Sequence, residues 1–330
     1  MSYKQYIPLN DGNKIPALGF GTWQAEPGQV GASVKNAVKA GYRHLDLAKV
    51  YQNQSEIGVA LKELFDQGIV KREDLFITSK VWNNRHAPEH VEPALDETLK
   101  ELGLSYLDLY LIHWPVAFKF TTPQELFPTE PDNKELVAID DSIKLVDTWK
   151  AVVALKKTGK TKSVGVSNFT TDLVDLVEKA SGERPAVNQI EAHPLLQQDE
   201  LVAHHKSKNI VITAYSPLGN NVSGKPPLTQ NPGIEATAKR LNHTPAAVLL
   251  AWGIQRGYSV LVKSVTPSRI ESNYDQITLS PEEFQKVTDL IKEYGESRNN
   301  IPLNYKPSWP ISVFGTADEA KATHKINTNL

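Results

Sequence analysis

The sequence predicts a single (β/α)8 barrel of the TIM type, and three observations carry that reading. Apolar runs of strand length alternate with segments of helical period along the whole chain. Such runs occur eight times in series. The segments after the fourth run, after the seventh and after the last helix are long and rich in Pro, Gly and Asn, as loops at the C-terminal face of a barrel are. Alternation of this kind implies parallel strands joined by helical crossovers. A doubly wound open sheet also satisfies it, and eight units in series favour closure. No domain boundary, internal repeat or low-complexity tract interrupts the 330 residues. One domain is therefore expected, with an N-terminal hairpin over 6–16 and a rim tail over 299–330.

In chain order, the hairpin comes first. Its arms flank Asn10-Asp11-Gly12-Asn13, and Asp-Gly is a hairpin-turn signal. The eight barrel strands are expected at 17–20, 44–48, 75–79, 107–113, 163–167, 186–191, 211–215 and 259–262. Between them lie amphipathic stripes. Val30, Val34, Ala37 and Val38 recur at helical spacing and stop at Gly41. Leu145, Val146, Trp149, Val152 and Val153 line a second helix, with Gly159 as its terminating residue. Leu173, Leu176, Val177 and Ala180 line a third. All three stripes read as core-facing.

Composition narrows the function. A formal net charge of -2 argues against a dedicated nucleic-acid or anionic-membrane surface, which needs a basic excess. Lys156, Lys157 and Lys160 read as the solvated end of a helix. With no cysteine, disulfides, thiol nucleophiles and Cys-ligated zinc are excluded. The N-terminus has no apolar h-region and no segment reaches ~20 apolar residues, so a cytoplasmic protein is expected.

Four polar residues fall at or just after successive strand ends. Asp46 closes the second strand and Tyr51 follows it, Lys80 closes the third, and His113 closes the fourth. In a parallel barrel, these ends share one rim. A tyrosine alone, with a pKa near ~10, is a poor acid at neutral pH. A lysine ammonium favours the phenolate, and a carboxylate holds that lysine charged and in place. A neutral histidine can hydrogen-bond and orient a substrate oxygen. The set suits protonation of an oxygen that gains negative charge, as in carbonyl reduction when hydride arrives at carbon. Each residue alone reads more simply as a cap, a turn or a solvated side chain; the four together do not.

Other constellations carry less. His86 and His90 flank Pro88, which reads as a helix start, so the two imidazoles are expected as a loop-surface pair and no metal site follows. His204 and His205 are adjacent and expected to point apart. Gly165-Val166-Ser167-Asn168-Phe169 lacks the second glycine of a nucleophile elbow. Gly19-Phe20-Gly21 lacks the third glycine of a dinucleotide fingerprint.

After the eighth strand, Lys263-Ser264-Val265-Thr266-Pro267-Ser268-Arg269 runs into a helix. Two cations, hydroxyls and free backbone N–H groups at a helix N-terminus make an anion site. An ordinary helix start is the plainer reading, but cations there oppose the helix dipole. Tyr215, at the end of the seventh strand, offers an aromatic face for a flat ring. Trp23, Trp82, Trp114 and Trp309 fall in rim loops and suggest an apolar substrate pocket, its shape depending also on Phe118 and the segment behind it.

At these residues the chain resembles the aldo-keto reductases. The resemblance covers essentially the whole chain, from Gly19 to Trp309. It rests on Gly41-Tyr42-Arg43-His44-Leu45-Asp46, Lys80, Leu111-Ile112-His113-Trp114-Pro115, Gly165-Val166-Ser167-Asn168-Phe169, Asn188-Gln189, Ala214-Tyr215-Ser216-Pro217-Leu218-Gly219 and Lys263-Ser264-Val265-Thr266-Pro267. Asp46-Leu47-Ala48-Lys49-Val50-Tyr51 and the run from Tyr215 to Asn221 make it most similar to the fungal aldehyde reductases of that family. The resemblance implies a monomeric or loosely dimeric barrel that binds NADPH. It implies Tyr51 as general acid, tuned by Lys80 and Asp46, with His113 orienting the carbonyl. Gly21, Thr22 and Trp23 would line the cofactor. Ser167, Asn168 and Gln189 would hold its carboxamide, and Tyr215 would stack on the nicotinamide. Ser216 and Leu218 would cover the pyrophosphate. Lys263, Ser264, Thr266, Arg269 and Asn273 would hold the adenosine end, Lys263 and Arg269 meeting the 2′-phosphate. Two departures stand out: Ser272 replaces a glutamate common at the adenine, and Leu47 replaces a threonine.

The expected activity is reduction of aldehydes, activated ketones or keto esters to alcohols, without a metal and without an obligate protein partner. Two alternatives stay open: a polyol or glycerol dehydrogenase running in oxidation, and an NADPH-binding regulatory subunit.

Overall fold

The computed structural model describes residues 5–219 and 226–330, so Asn220 and Asn221 lie outside the described residues. The strands are β1 (Tyr6–Pro8), β2 (Lys14–Pro16), β3 (Leu18–Gly21), β4 (His44–Asp46), β5 (Phe76–Val81), β6 (Leu107–Ile112), β7 (Thr129–Glu130), β8 (Asn133–Val137), β9 (Thr161–Ser167), β10 (Val187–Glu191), β11 (Val211–Tyr215), β12 (Ser259–Val262), β13 (Ile311–Ser312) and β14 (His324–Lys325). The α-helices are α1 (Val30–Ala40), α2 (Gln54–Asp66), α3 (Pro88–Leu102), α4 (Leu145–Ala154), α5 (Thr171–Ser181), α6 (Asp199–Ser207), α7 (Pro232–Leu241), α8 (Pro245–Gln255), α9 (Pro267–Tyr274), α10 (Pro281–Thr288) and α11 (Leu290–Tyr294). Eight strands close a barrel in the order β3-β4-β5-β6-β9-β10-β11-β12. They are the eight read from the sequence, in chain order.

Two strands end two residues away from expectation. The second barrel strand stops at Asp46, because a 3-10 turn begins at Lys49 and carries Tyr51. The third runs on to Val81, since Lys80 pairs with Leu111 and Val81 with Ile112. Lys80 therefore lies inside its strand, one residue before the end.

The chain forms two compact units, one of residues 1–47, 56–77 and 189–299, the other of 48–55, 78–188 and 300–330. In the first, β1 and β2 pair antiparallel with Ile7 opposite Ile15, as the Asp-Gly turn predicts. β11, β12, β3 and β4 lie parallel in sequence of pairing. A Cβ at Gly19 would come 2.5 Å from His44 Nδ1, so only glycine allows these strands to pack. α1 ends at Gly41 in the left-handed conformation, as read. α8 is apolar nearly all round and is buried accordingly, with Val248, Leu249 and Trp252 in one cluster with Leu195, Ile234 and Leu279.

In the second unit, β5, β6 and β9 pair parallel, with Tyr110 opposite Val164. Gly165 is the close-packed position here: a Cβ would meet the Val187 carbonyl oxygen at 2.5 Å. α3 begins with Pro88 at its first turn and ends at left-handed Gly103. α4 passes into a 3-10 turn that Gly159 terminates. The segment 118–141, read as a loop, contains the β7–β8 hairpin. The tail is fixed to it: Val137 N donates to Ser308 O at 2.8 Å and Ser308 N to Glu135 O at 2.7 Å. The lysines after α4 are not simply solvated. Lys156 pairs with Glu183, and Lys160 with Glu92 and Asp96 at 2.8 and 2.6 Å.

Candidate active site

In the second unit, the end of β5 delivers Lys80. Its side chain is fully buried, and Nζ donates to Tyr51 Oη at 3.4 Å. The turn that holds Tyr51 is fixed from below. Gln54, just beyond it, accepts from Ser79 Oγ at 2.7 Å and donates to Glu101 at 2.8 Å, and Lys49 bonds the same Glu101. Tyr51 is thus carried on a short turn tied to β5 and α3 by side-chain hydrogen bonds.

His113 follows β6, its N–H on the Val81 carbonyl at 3.2 Å. Its ring lies edge-on to Tyr51 at 5.9 Å between centroids and to Trp82 at 5.0 Å. Burial, Lys80 and His86 hold its pKa well below the ordinary histidine value, so the imidazole is neutral at working pH. Asn168, after β9, donates to the His113 carbonyl at 3.0 Å and to Ser167 Oγ at 3.1 Å. Its φ of 62° lies in the left-handed region, which asparagine tolerates better than most residues.

An aromatic wall stands beside these groups. Trp82, Trp114, Phe118 and Trp309 belong to one buried cluster. Phe118 and Trp309 are 4.8 Å apart, Trp82 and Trp309 5.7 Å, and Trp114 and Trp309 5.5 Å, all edge-on. Trp82 Nε1 donates to the Leu126 carbonyl at 2.6 Å. The structure adds Tyr305, 5.2 Å from Trp309, and Phe127, 5.4 Å from Trp82. Sequence reading missed both, although their aromatic type in a long rim segment was a usable signal. Trp23 is unlike the other three tryptophans: it belongs to the first unit and is 48% exposed.

In the first unit, Asp46 is buried at the end of β4, accepting from Gln189 Nε2 at 2.7 Å. Buried Thr22 donates to the Asp46 carbonyl at 2.8 Å, and Gly21 pairs with Asp46 across the ladder. Tyr215 ends β11, its carbonyl accepting from Ala192 N at 3.3 Å. Ser216 follows with φ 53°, and a turn closes through Gly219 N to Ser216 O at 2.9 Å. Leu218 packs on the apolar cluster around α8.

The basic segment after β12 forms as read, with Pro267 in the first turn of α9. Arg269 donates to Thr266 Oγ1 at 2.6 Å, Thr266 N to Ser264 Oγ at 3.1 Å, and Lys263 Nζ to the Gln24 carbonyl at 3.0 Å. Ser264 and Asn273 are buried beside the exposed cations. Burial first, then Arg269, lowers the Lys263 pKa, with a smaller opposing effect of Glu26. Two cations that repel one another at a helix N-terminus fit a phosphate. Ser272 turns its hydroxyl to the Arg269 carbonyl at 3.3 Å.

Two histidine expectations are corrected. His86 is 2% exposed, because the chain after β5 turns inward through a 3-10 turn whose residues are all buried. His90 does lie further out, stacked on Phe120 at 4.0 Å. His204 and His205 do not point apart; their Nδ1 atoms are 3.4 Å from one another, since His205 folds back to the Leu201 carbonyl at 2.8 Å. Among the described residues, no three His, Cys, Asp or Glu side chains are grouped to hold a metal ion, and no helix is long and apolar enough to cross a membrane.

The eight-stranded barrel sets the fold class, and the comparison with known proteins identifies the family. The Aldo/keto reductase family pattern matches residues 17–292, and the chain belongs to this family. A D/L-glyceraldehyde reductase of Hypocrea jecorina is 50% identical over 331 aligned positions, covering 98% of each chain. Aldo-keto reductase family 1 member A1 of Gallus gallus is 44% identical over 310, covering 92% of this chain and 93% of that one. The solved aldose reductase of Schistosoma japonicum superposes with a TM-score of 0.83 at 42% identity, over 91% of this chain and 95% of that one. The chain is an oxidoreductase that reduces small carbonyl compounds to alcohols with a nicotinamide cofactor.

Proposed function

We propose that the protein is an NADPH-dependent reductase of short aldehydes, with hydroxyaldehydes of the glyceraldehyde kind as its preferred substrates. The observation that carries the catalytic assignment is the contact of fully buried Lys80 with Tyr51 Oη at 3.4 Å, beside a neutral His113. The substrate class is supported by the half-identical glyceraldehyde reductase.

When bound, the nicotinamide supplies hydride to the carbonyl carbon. Tyr51 Oη donates its proton to the carbonyl oxygen, which completes the hydroxyl. Lys80 stabilises the phenolate left on Tyr51. His113, uncharged, donates a hydrogen bond to the same oxygen and sets its direction toward Tyr51. Trp82, Phe118 and Trp309 exclude water from that face. Asp46 is buried at its strand end and bonded to Gln189, and its carboxylate is the acidic group that the family resemblance assigns to the reaction. Lys263 and Arg269 hold the phosphate that distinguishes NADPH from NADH, and Tyr215 supplies a flat face for the nicotinamide.

The test is oxidation of NADPH at 340 nm with glyceraldehyde, longer aldehydes, keto esters and aldoses, run beside NADH. Faster turnover of glyceraldehyde than of the keto esters, with NADPH ahead of NADH at low cofactor, is expected. Equal rates with both cofactors would overturn the NADPH assignment, and a preference for keto esters the substrate assignment.

A further inference from the structure

Tyr51 is the last residue of a three-residue 3-10 turn, closed by Tyr51 N on the Ala48 carbonyl and Gln52 N on the Lys49 carbonyl, both at 3.1 Å. Bonds of this kind are poorly aligned, and so short a turn is held by what its side chains reach. Gln52, next in the chain, has a φ of 55°, in the left-handed region that glutamine adopts only at a cost. The place of the proton donor is therefore set from outside the turn.

Two side chains flank Tyr51, Lys49 within the turn and Gln54 just beyond it, and they meet on one carboxylate. Lys49 Nζ bonds Glu101 Oε1, and Gln54 Nε2 donates to Glu101 Oε2 at 2.8 Å. A carboxylate only accepts, so it fixes which end of the Gln54 amide faces it. The amide oxygen is thereby turned to Ser79 Oγ, which donates to it at 2.7 Å. Ser79 is buried on β5 and directly precedes Lys80. Ser79, Gln54 and Glu101 thus form one directed chain of bonds that joins the strand of Lys80 to the turn of Tyr51. The neighbouring Glu97 does not replace Glu101: it lies 3.9 Å from Lys49 and is engaged by Arg85 at 3.0 Å. Nor does α3 favour a carboxylate here for its own sake. Glu101 is in the last turn of that helix, where negative charge opposes the dipole.

We propose that Glu101 is a positioning residue for the reaction: by holding Lys49 and Gln54 together, it sets the turn so that Tyr51 Oη meets Lys80 Nζ at the 3.4 Å observed. The proposal rests on the reading of Tyr51 as the general acid. Glu101 acts through Tyr51 and Lys80, which face one another with His113 edge-on to the phenol ring.

Carbon NMR of ring-labelled tyrosine in the free protein follows the titration of Tyr51, its signal identified by loss in Tyr51→Phe. Lys80 favours the phenolate. If Glu101 keeps the two groups together, Glu101→Leu should move the Tyr51 midpoint up. The sign is diagnostic, because loss of the Glu101 charge acting through space alone would move the midpoint down. Glu101→Gln, which keeps an oxygen for the Gln54 amide, should bring it back toward wild type. Single-turnover oxidation of bound NADPH by glyceraldehyde should slow about tenfold in Glu101→Leu, within the loss that a misplaced reacting group causes, and recover in part in Glu101→Gln. NADPH affinity, read by tryptophan quenching, should stay unchanged. The Glu101 side chain is 29% exposed, so both variants should fold. An unmoved or lowered midpoint in Glu101→Leu overturns the proposal, and so does a Glu101→Gln that matches Glu101→Leu. Failure of the acid assignment reads differently: the midpoint in Glu101→Leu still rises, while Tyr51→Phe keeps its turnover.

Discussion

Around His113 the protein suppresses charge, and around Lys263 and Arg269 it displays it. In the first region, two imidazoles are buried and neutral, and the cation Lys80 is enclosed and directed at a phenol. In the second, two cations stand exposed just before and within the first turn of α9, and partial burial, then Arg269, lowers the tendency of Lys263 to be charged. The first arrangement is preorganised: its dipoles need no reorientation when charge develops on a reacting oxygen. The second is a landing site whose charges are left for a ligand to neutralise. If this contrast is right, substitutions in the two regions should fail in different measurements.

The largest effect is expected from Tyr51→Phe. It removes one oxygen and leaves the ring contact with His113. Turnover should fall by up to about 10⁴-fold, the range of general acid catalysis. NADPH should still quench the tryptophans with wild-type affinity. Substantial turnover in this variant would transfer the acid role elsewhere.

Acid should break the buried region before the exposed one. The His86 pKa is about 3 in the fold against 6.5 when unperturbed. A depressed histidine pKa favours the fold above 6.5, and that support is lost as pH falls toward 3, because the unfolded chain takes up the proton first. The difference integrates to about 5 kcal/mol across the window. His113 adds to it in the same direction. Urea midpoints between pH 7 and pH 4 should fall more steeply for wild type than for His86→Gln, which has nothing to protonate. Equal slopes would mean that His86 is hydrated and titrates normally.

The same two regions differ in how far they were legible in the sequence. The positions of Asp46, Tyr51, Lys80 and His113 at or near strand ends could be read because strand ends are marked by where apolar runs stop. The segment after β12 could be read from its two cations and Pro267. The burial of His86 could not. Asn83-Asn84-Arg85 before it looks solvated, and only tertiary contacts turn that 3-10 segment inward. The β7–β8 hairpin was hidden for a related reason: Glu130 to Glu135 is polar, and its strands have no apolar alternation to announce them. Tryptophan type alone gives no measure of burial. Trp82, Trp114 and Trp309 pack together, whereas Trp23 is half exposed, and nothing local to Trp23 distinguishes it.

The exposed region is tested by Lys263→Met and Arg269→Met. Each removes a charge while keeping much of the stem, and neither cation forms an ion pair among the described residues, so folding should be little affected. A charge-assisted hydrogen bond to phosphate is worth enough to weaken NADPH binding about tenfold per cation at low salt. NADH binding should hardly change, because it lacks the phosphate. The loss should shrink as salt rises, since exposed charges more than about 8 Å from their partners are screened at physiological ionic strength and nearer ones are weakened. Turnover at saturating NADPH should stay near wild type, in contrast to Tyr51→Phe. Tryptophan quenching titrations with both cofactors at two salt concentrations decide it. If both cofactors lose affinity equally, the cations hold a group common to the two, and they give no selectivity between the cofactors.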